Sequence, residues 1–210
     1  MKHILLTAAF AVGIAGTASA APFTFFGVND TPGGAVSGDP LTQRNAFLGS
    51  LSGGVGTEDF EGFASGANTP LNLSFTGSTG AITATLSGSG TDIDTSGPGT
   101  FATSGSNYVE TPGGGDFEIT FGSAIAAFGF YGTDIGDVNN NLVITLTDTS
   151  NVETSFTLMT AGASSGSLLF WGFVDSGTEY SKISFDNVPN GSDVFGFDDM
   201  TIGDVGQITN

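Results

Sequence analysis

The sequence predicts an all-β fold, an antiparallel jelly-roll-like β-sandwich with one short N-terminal helix. Three observations carry this. From Gly56 onward, short runs of alternating apolar and polar residues are separated by clusters of Gly, Ser, Asn, Asp and Pro, and no helical periodicity of useful length follows Gly49. The chain holds 34 Gly, the residue that frequent tight turns demand. It holds 19 Phe against 1 Trp and 3 Tyr, and most of these phenylalanines stand in period-two patterns that a pleated sheet buries.

The elements follow in order. Lys2 and His3 precede an apolar run from Ile4 to Ile14 and the small-residue pattern Ala18-Ser19-Ala20. This reads as a cleaved secretory leader over 1–20, with the mature chain starting near Ala21. The run is too short to span a bilayer, and without cysteine there is no acylated anchor, so no transmembrane segment is expected in the mature chain. Residues 21–55 read as an N-terminal extension. Phe23 to Phe26 is a short edge strand, Asn29 to Gly34 is turn chemistry, and Asp39-Pro40-Leu41 opens a helix with Asp39 as N-cap and Pro40 at the first helical position. The helix ends at Gly49, and Arg44 on it is expected to pair with a carboxylate.

The sandwich domain is 56–210. Strands are read at Glu58 to Phe63, Leu71 to Phe75, Ile82 to Leu86, Asn107 to Val109, Asp116 to Phe121, Ala126 to Thr133, Leu142 to Asp148, Thr154 to Met159, Leu168 to Val174, Lys182 to Asp186 and Val194 to Ile202. Within them Phe128-Gly129-Phe130, Trp171-Gly172-Phe173 and Phe195-Gly196-Phe197 recur, each closely followed by an acid: Asp134, Asp175 or Asp198. Two aromatics on one core face with glycine between them mark places where another backbone passes close.

The closing strand breaks phase. Phe195 and Phe197 alternate in one register, Met200 and Ile202 in the other. Either both faces are buried, or a β-bulge at Asp198 and Asp199 returns all four side chains to one core, and the bulge is the reading taken here.

Composition excludes several functions. Once Lys2 leaves with the leader, Arg44 and Lys182 face all 21 acids, so no nucleic acid partner is expected, whereas divalent cations are attracted. The one His lies in the leader and there is no Cys, which removes histidine triads, thiol chemistry and zinc sites. Carboxylate chemistry survives in type, with Glu58, Glu61, Glu110, Glu118, Glu153 and Glu179 as candidates.

Calcium fits the oxygen-rich loops better. One place is Asp137-Val138-Asn139-Asn140-Asn141 with Asp148, which has EF-hand spacing. Leu142 stands where glycine is required, however, so it reads as a hairpin loop. The other joins Glu58-Asp59-Phe60-Glu61 with Asp198-Asp199, since first and last strands of antiparallel sandwiches often lie side by side. The metal candidates are therefore Asp59, Glu61, Asp198 and Asp199. The sequons at Asn29, Asn72 and Asn190 are what a chain rich in Asn, Ser and Thr holds by chance.

Thr57-Glu58-Asp59-Phe60-Glu61-Gly62-Phe63, the strand Ala126-Ala127-Phe128-Gly129-Phe130 and the closing Phe195-Gly196-Phe197-Asp198-Asp199-Met200-Thr201-Ile202-Gly203 resemble secreted bacterial proteins of the PEP-CTERM, or exosortase-associated, type. The helix from Asp39 to Leu48 resembles them too. Members of that family end in a Pro-Glu-Pro motif, a membrane-spanning helix and a basic cluster. This chain instead closes with Gly206-Gln207-Ile208-Thr209-Asn210, so free secretion or a truncated gene model is the expectation.

The resemblance implies a jelly-roll-like sandwich exported by a Gram-negative bacterium and associated with exopolysaccharide or biofilm matrix, without enzymatic activity. Jelly-roll carbohydrate-binding modules are similar in architecture and often hold a structural calcium between terminal strands, which points again to Asp59 or Glu61 with Asp198 or Asp199. The resulting expectation is a secreted, non-enzymatic surface or matrix protein contacting extracellular polysaccharide and calcium. The alternative is a glycosidase or its detached carbohydrate-binding module.

Overall fold

The computed structural model describes residues 21–113, 115–137, 141–158, 163–188 and 193–209; the leader read at 1–20 lies outside them. Strand β1 (Phe23–Asn29) leads into α1 (Gly38–Gly49). The strands that follow are β2 (Gly56–Glu58), β3 (Leu71–Gly77), β4 (Gly80–Gly88), β5 (Asp92–Asp94), β6 (Tyr108–Pro112), β7 (Asp116–Ile125) and β8 (Ala127–Thr133). After them come β9 (Asn141–Asp148), β10 (Glu153–Leu158), β11 (Leu168–Val174), β12 (Tyr180–Val188), β13 (Val194–Gly203) and a 3-10 turn at Val205–Gln207. The first sheet runs β1-β11-β8-β13-β6-β5 and the second β10-β9-β12-β7-β4-β3, with every described pairing antiparallel. The predicted β-sandwich is thus the fold found. No helix among the described residues is long and apolar enough to cross a membrane.

The aromatic-glycine-aromatic motifs build the space between the sheets. Phe128, Phe130, Trp171, Phe173, Phe195 and Phe197 all belong to the core cluster that also holds Phe117 and Phe185 from the second sheet. The rings of Phe117 and Phe185 stack at 4.2 Å, and Phe197 meets Phe117 edge-on at 4.8 Å. The glycines serve the opposite face. A Cβ on Gly129 would lie 2.8 Å from Phe170 Cζ and 3.0 Å from Phe47 Cε1, so the bare backbone there lets α1 dock. Beneath the helix a second cluster forms from Phe25, Phe47, Leu51, Ala127, Tyr131, Leu168 and Phe170. The first sheet is therefore apolar on both faces under α1, which is why β8 and β11 read as continuous apolar runs rather than alternating ones.

Strand β2 closes one side of the sandwich. It pairs with β13 of the first sheet, and a Cβ on its Gly56 would collide with the backbone of Phe75 and Thr76 in β3 of the second.

Several expectations are corrected. The strand read at Glu58 to Phe63 stops at Glu58, because Phe60 adopts φ 57° and the carboxylates of Glu58 and Asp59 accept the amides of Phe60 (2.9 Å) and Glu61 (3.2 Å), which turns the chain. Ser37 rather than Asp39 occupies the N-cap position, without a side-chain capping bond, since the helix starts at Gly38, whose φ of 71° makes the turn into it; Asp39 sits in the first turn, against the positive end of the helix. Arg44 pairs with no carboxylate among the described residues. Its guanidinium lies 5.7 Å from the centroid of the Tyr131 ring, while the ion pair found is Lys182–Glu118 at 3.3 Å. The stretch after Asp137 is not a hairpin, because it carries the chain from β8 in the first sheet to β9 in the second. Residues 138–140 of the EF-hand-like spacing lie outside the described residues, and Asp148 instead closes the β9–β10 turn by accepting the amides of Ser150 (2.7 Å) and Val152 (2.8 Å).

Candidate functional site

The bulge read in the last strand is present. The register of β13 against β8 shifts between Asp198 and Thr201, Asp199 sits at φ 51°, and Phe195, Phe197, Met200 and Ile202 are all fully buried in one cluster. At the same point β13 changes partner on its other side: residues up to Phe197 pair with β6, and those from Met200 pair with β2. The bulge therefore faces a notch between two strand ends, and Asp198 and Asp199 stand in it.

A polar loop from Phe101 to Asn107 fills the notch. Asp198 Oδ2 accepts the Thr103 amide (2.7 Å), the Thr103 hydroxyl (3.0 Å) and the Ser104 amide (3.1 Å), while Oδ1 accepts the amide of Asp199 (2.7 Å). Asp199 accepts the hydroxyls of Thr103 (3.0 Å) and Ser104 (2.9 Å). Burial, followed by the charge of Asp199, pushes the Asp198 carboxyl up to about 7 against the pull of these amides. The far end of the loop hangs on the turn after β2. Glu61 Oε1 accepts the amides of Ser106 and Asn107, both at 2.6 Å, and Asn107 Nδ2 donates to the carbonyls of Phe60 (3.1 Å) and Phe63 (3.0 Å). Those amides hold the Glu61 carboxyl below its ordinary value.

The structure thus brings three of the four predicted metal candidates, Glu61, Asp198 and Asp199, onto one loop. Their carboxylate oxygens meet its hydrogen-bond donors. Asp59 is exposed, and its carboxylate accepts the Glu61 amide.

The carboxylates that do cluster lie elsewhere. Among the described residues, oxygens of Asp134, Asp137 and Asp193 come within 4.8 Å of one another. Asp134 follows the Phe128-Gly129-Phe130 motif, is 1% exposed and has φ 64°. Its Oδ1 accepts the Gly166 amide at 2.6 Å, and its own amide donates to the Ser167 carbonyl at 3.0 Å. Burial raises its carboxyl above the usual value, and the charge of Asp193 adds to this.

Asp175, after Trp171-Gly172-Phe173, does the same work: it accepts the amides of Gly177 (2.8 Å) and Thr178 (3.0 Å) and the Tyr180 hydroxyl (2.8 Å). Each motif therefore ends in a buried carboxylate that organises a loop. The recurrence of an acid after the motif is the sequence signal for Asp134. Nothing local marks Asp193, which directly precedes β13.

Two of the shallow surface cavities bear on ligand binding. One, of about 430 Å³, lies on the outer face of the second sheet over Ser87, Asp116, Glu118, Ser184 and Asp186. There the Asp186 carboxyl, opposite Asp116 in register, is raised by burial first and by that neighbour second. The other, of about 410 Å³, lies between the β1–α1 loop and the loops carrying Phe101 and Ser164 to Gly166. The buried clamps Asp198 and Asp199 line neither.

No family model matches the chain, and no curated protein matches it. Among solved structures, the K2 cleaved adhesin domain of Lys-gingipain matches at 16% identity over 70% of this chain and 96% of that one, with a TM-score of 0.46. A family 29 carbohydrate-binding module, CBM29-2, matches at 11% identity over 69% and 94%, with a TM-score of 0.39. TmCBM61, solved with β-1,4-galactotriose, matches at 14% identity over 57% and 86%, with a TM-score of 0.35. At TM-scores below 0.5, none of these likenesses carries an argument about the ligand of this chain.

Proposed function

We propose that this chain is a secreted, non-enzymatic β-sandwich protein of the bacterial cell surface or exopolysaccharide matrix, of the PEP-CTERM-like type, that contacts glycan through loops held on its first sheet. One observation carries the reading. The buried carboxylates of Asp134, Asp175, Asp198 and Asp199 accept hydrogen bonds from loop amides and hydroxyls and so fasten loops onto the strands of the first sheet. A rigid sheet presenting loops fastened in this way is a recognition scaffold, since ordering the loops before binding lowers the entropy cost of binding. The scarcity of Lys and Arg supports uncharged over anionic polysaccharide as the partner.

A polysaccharide array tests the reading, run together with a reducing-sugar assay on every polymer that binds. Binding of at least one neutral polymer without release of reducing ends is the expected result. Release abolished by a single Glu→Gln change would establish the glycosidase alternative instead, and silence across the array would remove the glycan contact altogether.

A further inference from the structure

The cavity beside Phe101 has the chemistry of a sugar subsite. Three chain segments distant in sequence meet there: Asp30, Thr31 and Pro32 from the β1–α1 loop, Phe101 from the loop clamped by Asp198, and Ser164 and Ser165 from the segment before β11. Each is pinned from behind. Asn29 Oδ1 accepts the Thr31 amide (3.1 Å) and Asn29 Nδ2 donates to the Ser37 hydroxyl (3.2 Å), which fixes the first loop. The Phe101 amide donates to the Thr133 hydroxyl (3.4 Å), and Phe101 packs on the cluster under α1. The third segment is held by the Ser167 amide on the Ser164 carbonyl (3.0 Å) and by buried Asp134 on the Gly166 amide (2.6 Å).

The lining is mixed in the way a pyranose is mixed. A sugar ring has apolar C–H faces and a rim of hydroxyls. Phe101 and Pro32 offer flat apolar surface, the Asp30 carboxylate accepts hydrogen bonds, and the hydroxyls of Thr31, Ser164 and Ser165 both donate and accept. The volume falls within the range of about 300–1,000 Å³ that small-ligand sites occupy. Asp30 at the mouth and Asp134 behind the Gly166 wall oppose an anionic ligand.

Resting on the glycan reading above, we infer that this cavity binds one or two residues of an uncharged polysaccharide, stacked on Phe101 and hydrogen-bonded by Asp30 and the three hydroxyls. Anionic sugars bind it more weakly, because Asp30 repels them and no Lys or Arg is among its lining residues.

Calorimetric titration of the full protein tests this, with cello-, xylo-, manno- and galacto-hexaose as neutral probes and oligogalacturonate as the anionic one. Ser164→Trp fills the cavity from an exposed position without touching the core, and Phe101→Ala removes the stacking surface. Thr85→Ala, on the second sheet, is the control. The expected result is binding of at least one neutral hexaose, weakened about tenfold or more by Ser164→Trp and by Phe101→Ala but unchanged by Thr85→Ala. Neutral binding that Ser164→Trp leaves intact overturns this site while the glycan reading stands, and so does tighter binding of oligogalacturonate. Failure of every probe with the unaltered protein overturns both.

Discussion

Thr103 and Asp198, separated by 95 positions, are joined twice: the Thr103 amide reaches Asp198 Oδ2 at 2.7 Å and the Thr103 hydroxyl reaches the same oxygen at 3.0 Å. That hydroxyl also lies 3.0 Å from Asp199 Oδ2. The contact ties the loop before β6 to the bulge of β13. Thr103→Val keeps shape and amide but removes a hydroxyl shared by two carboxylates, so stability should fall by about 1.5–3 kcal/mol, the range for hydrogen bonds to charged groups. Urea denaturation checks it, and Thr83→Val on the exposed face of β4 should change the midpoint little.

The same site sets an unusual pH dependence. Burial, and then the charge of Asp199, raises the Asp198 carboxyl to about 7, well above the ordinary value of an aspartate. The folded state then holds the proton more tightly than the unfolded one. Its contribution is fully present at low pH and is lost as pH rises from about 4 through 7, by up to about 4 kcal/mol. Burial raises Glu58, Glu110 and Asp134 with the same sign. The urea midpoint should be higher at pH 5.5 than at pH 8, and Asp198→Asn should flatten that slope.

Gly129 should be intolerant of any side chain. Its Cβ position lies 2.8 Å from Phe170 and 3.0 Å from Phe47, so Gly129→Ala must displace the α1 packing and should cost about 1–3 kcal/mol. A Cβ on Gly62 meets nothing within 4 Å, and Gly62→Ala should be near neutral in the same thermal melt.

Asp193 adds charge beside Asp134 and Asp137, and its Oδ2 is buried without a hydrogen-bond partner. Asp193→Asn should stabilise the fold by an amount on the order of 1 kcal/mol through relief of repulsion, seen as a higher melting midpoint in EDTA. A variant that instead melts lower in calcium than the parent, with EDTA abolishing the difference, would show that these charges serve an ion.

Much of the fold was legible because period-two patterning is local. The phase break between Phe197 and Met200 announces the bulge, since one extra residue is the only economical way to keep all four apolar side chains on one face. The adjacency of the Glu58 segment to the last strand was legible from sandwich topology, and Met200 does stand opposite Glu58. The partners of Asp198 and Asp199 were not, because the loop from Phe101 to Asn107 is Ser, Thr and Gly without period and meets them only through tertiary contact. For the same reason Arg44 was misread: the strong excess of acids suggested a carboxylate, whereas helix docking places it over Tyr131. Asp134 and Asp193 come together from positions 59 residues apart, and no spacing rule links them.

Amide hydrogen exchange is the most direct test of the claim that carboxylates, buried at Asp134 and Asp198 and exposed at Glu61, hold the loops as one preorganised surface. The amides of Thr103, Ser104, Ser106, Asn107 and Gly166 should be protected in the native protein, and Asp198→Ala should release Thr103 and Ser104 while Gly166 stays protected by Asp134. Exchange of all five at the rates of an unstructured chain in the unaltered protein would contradict it.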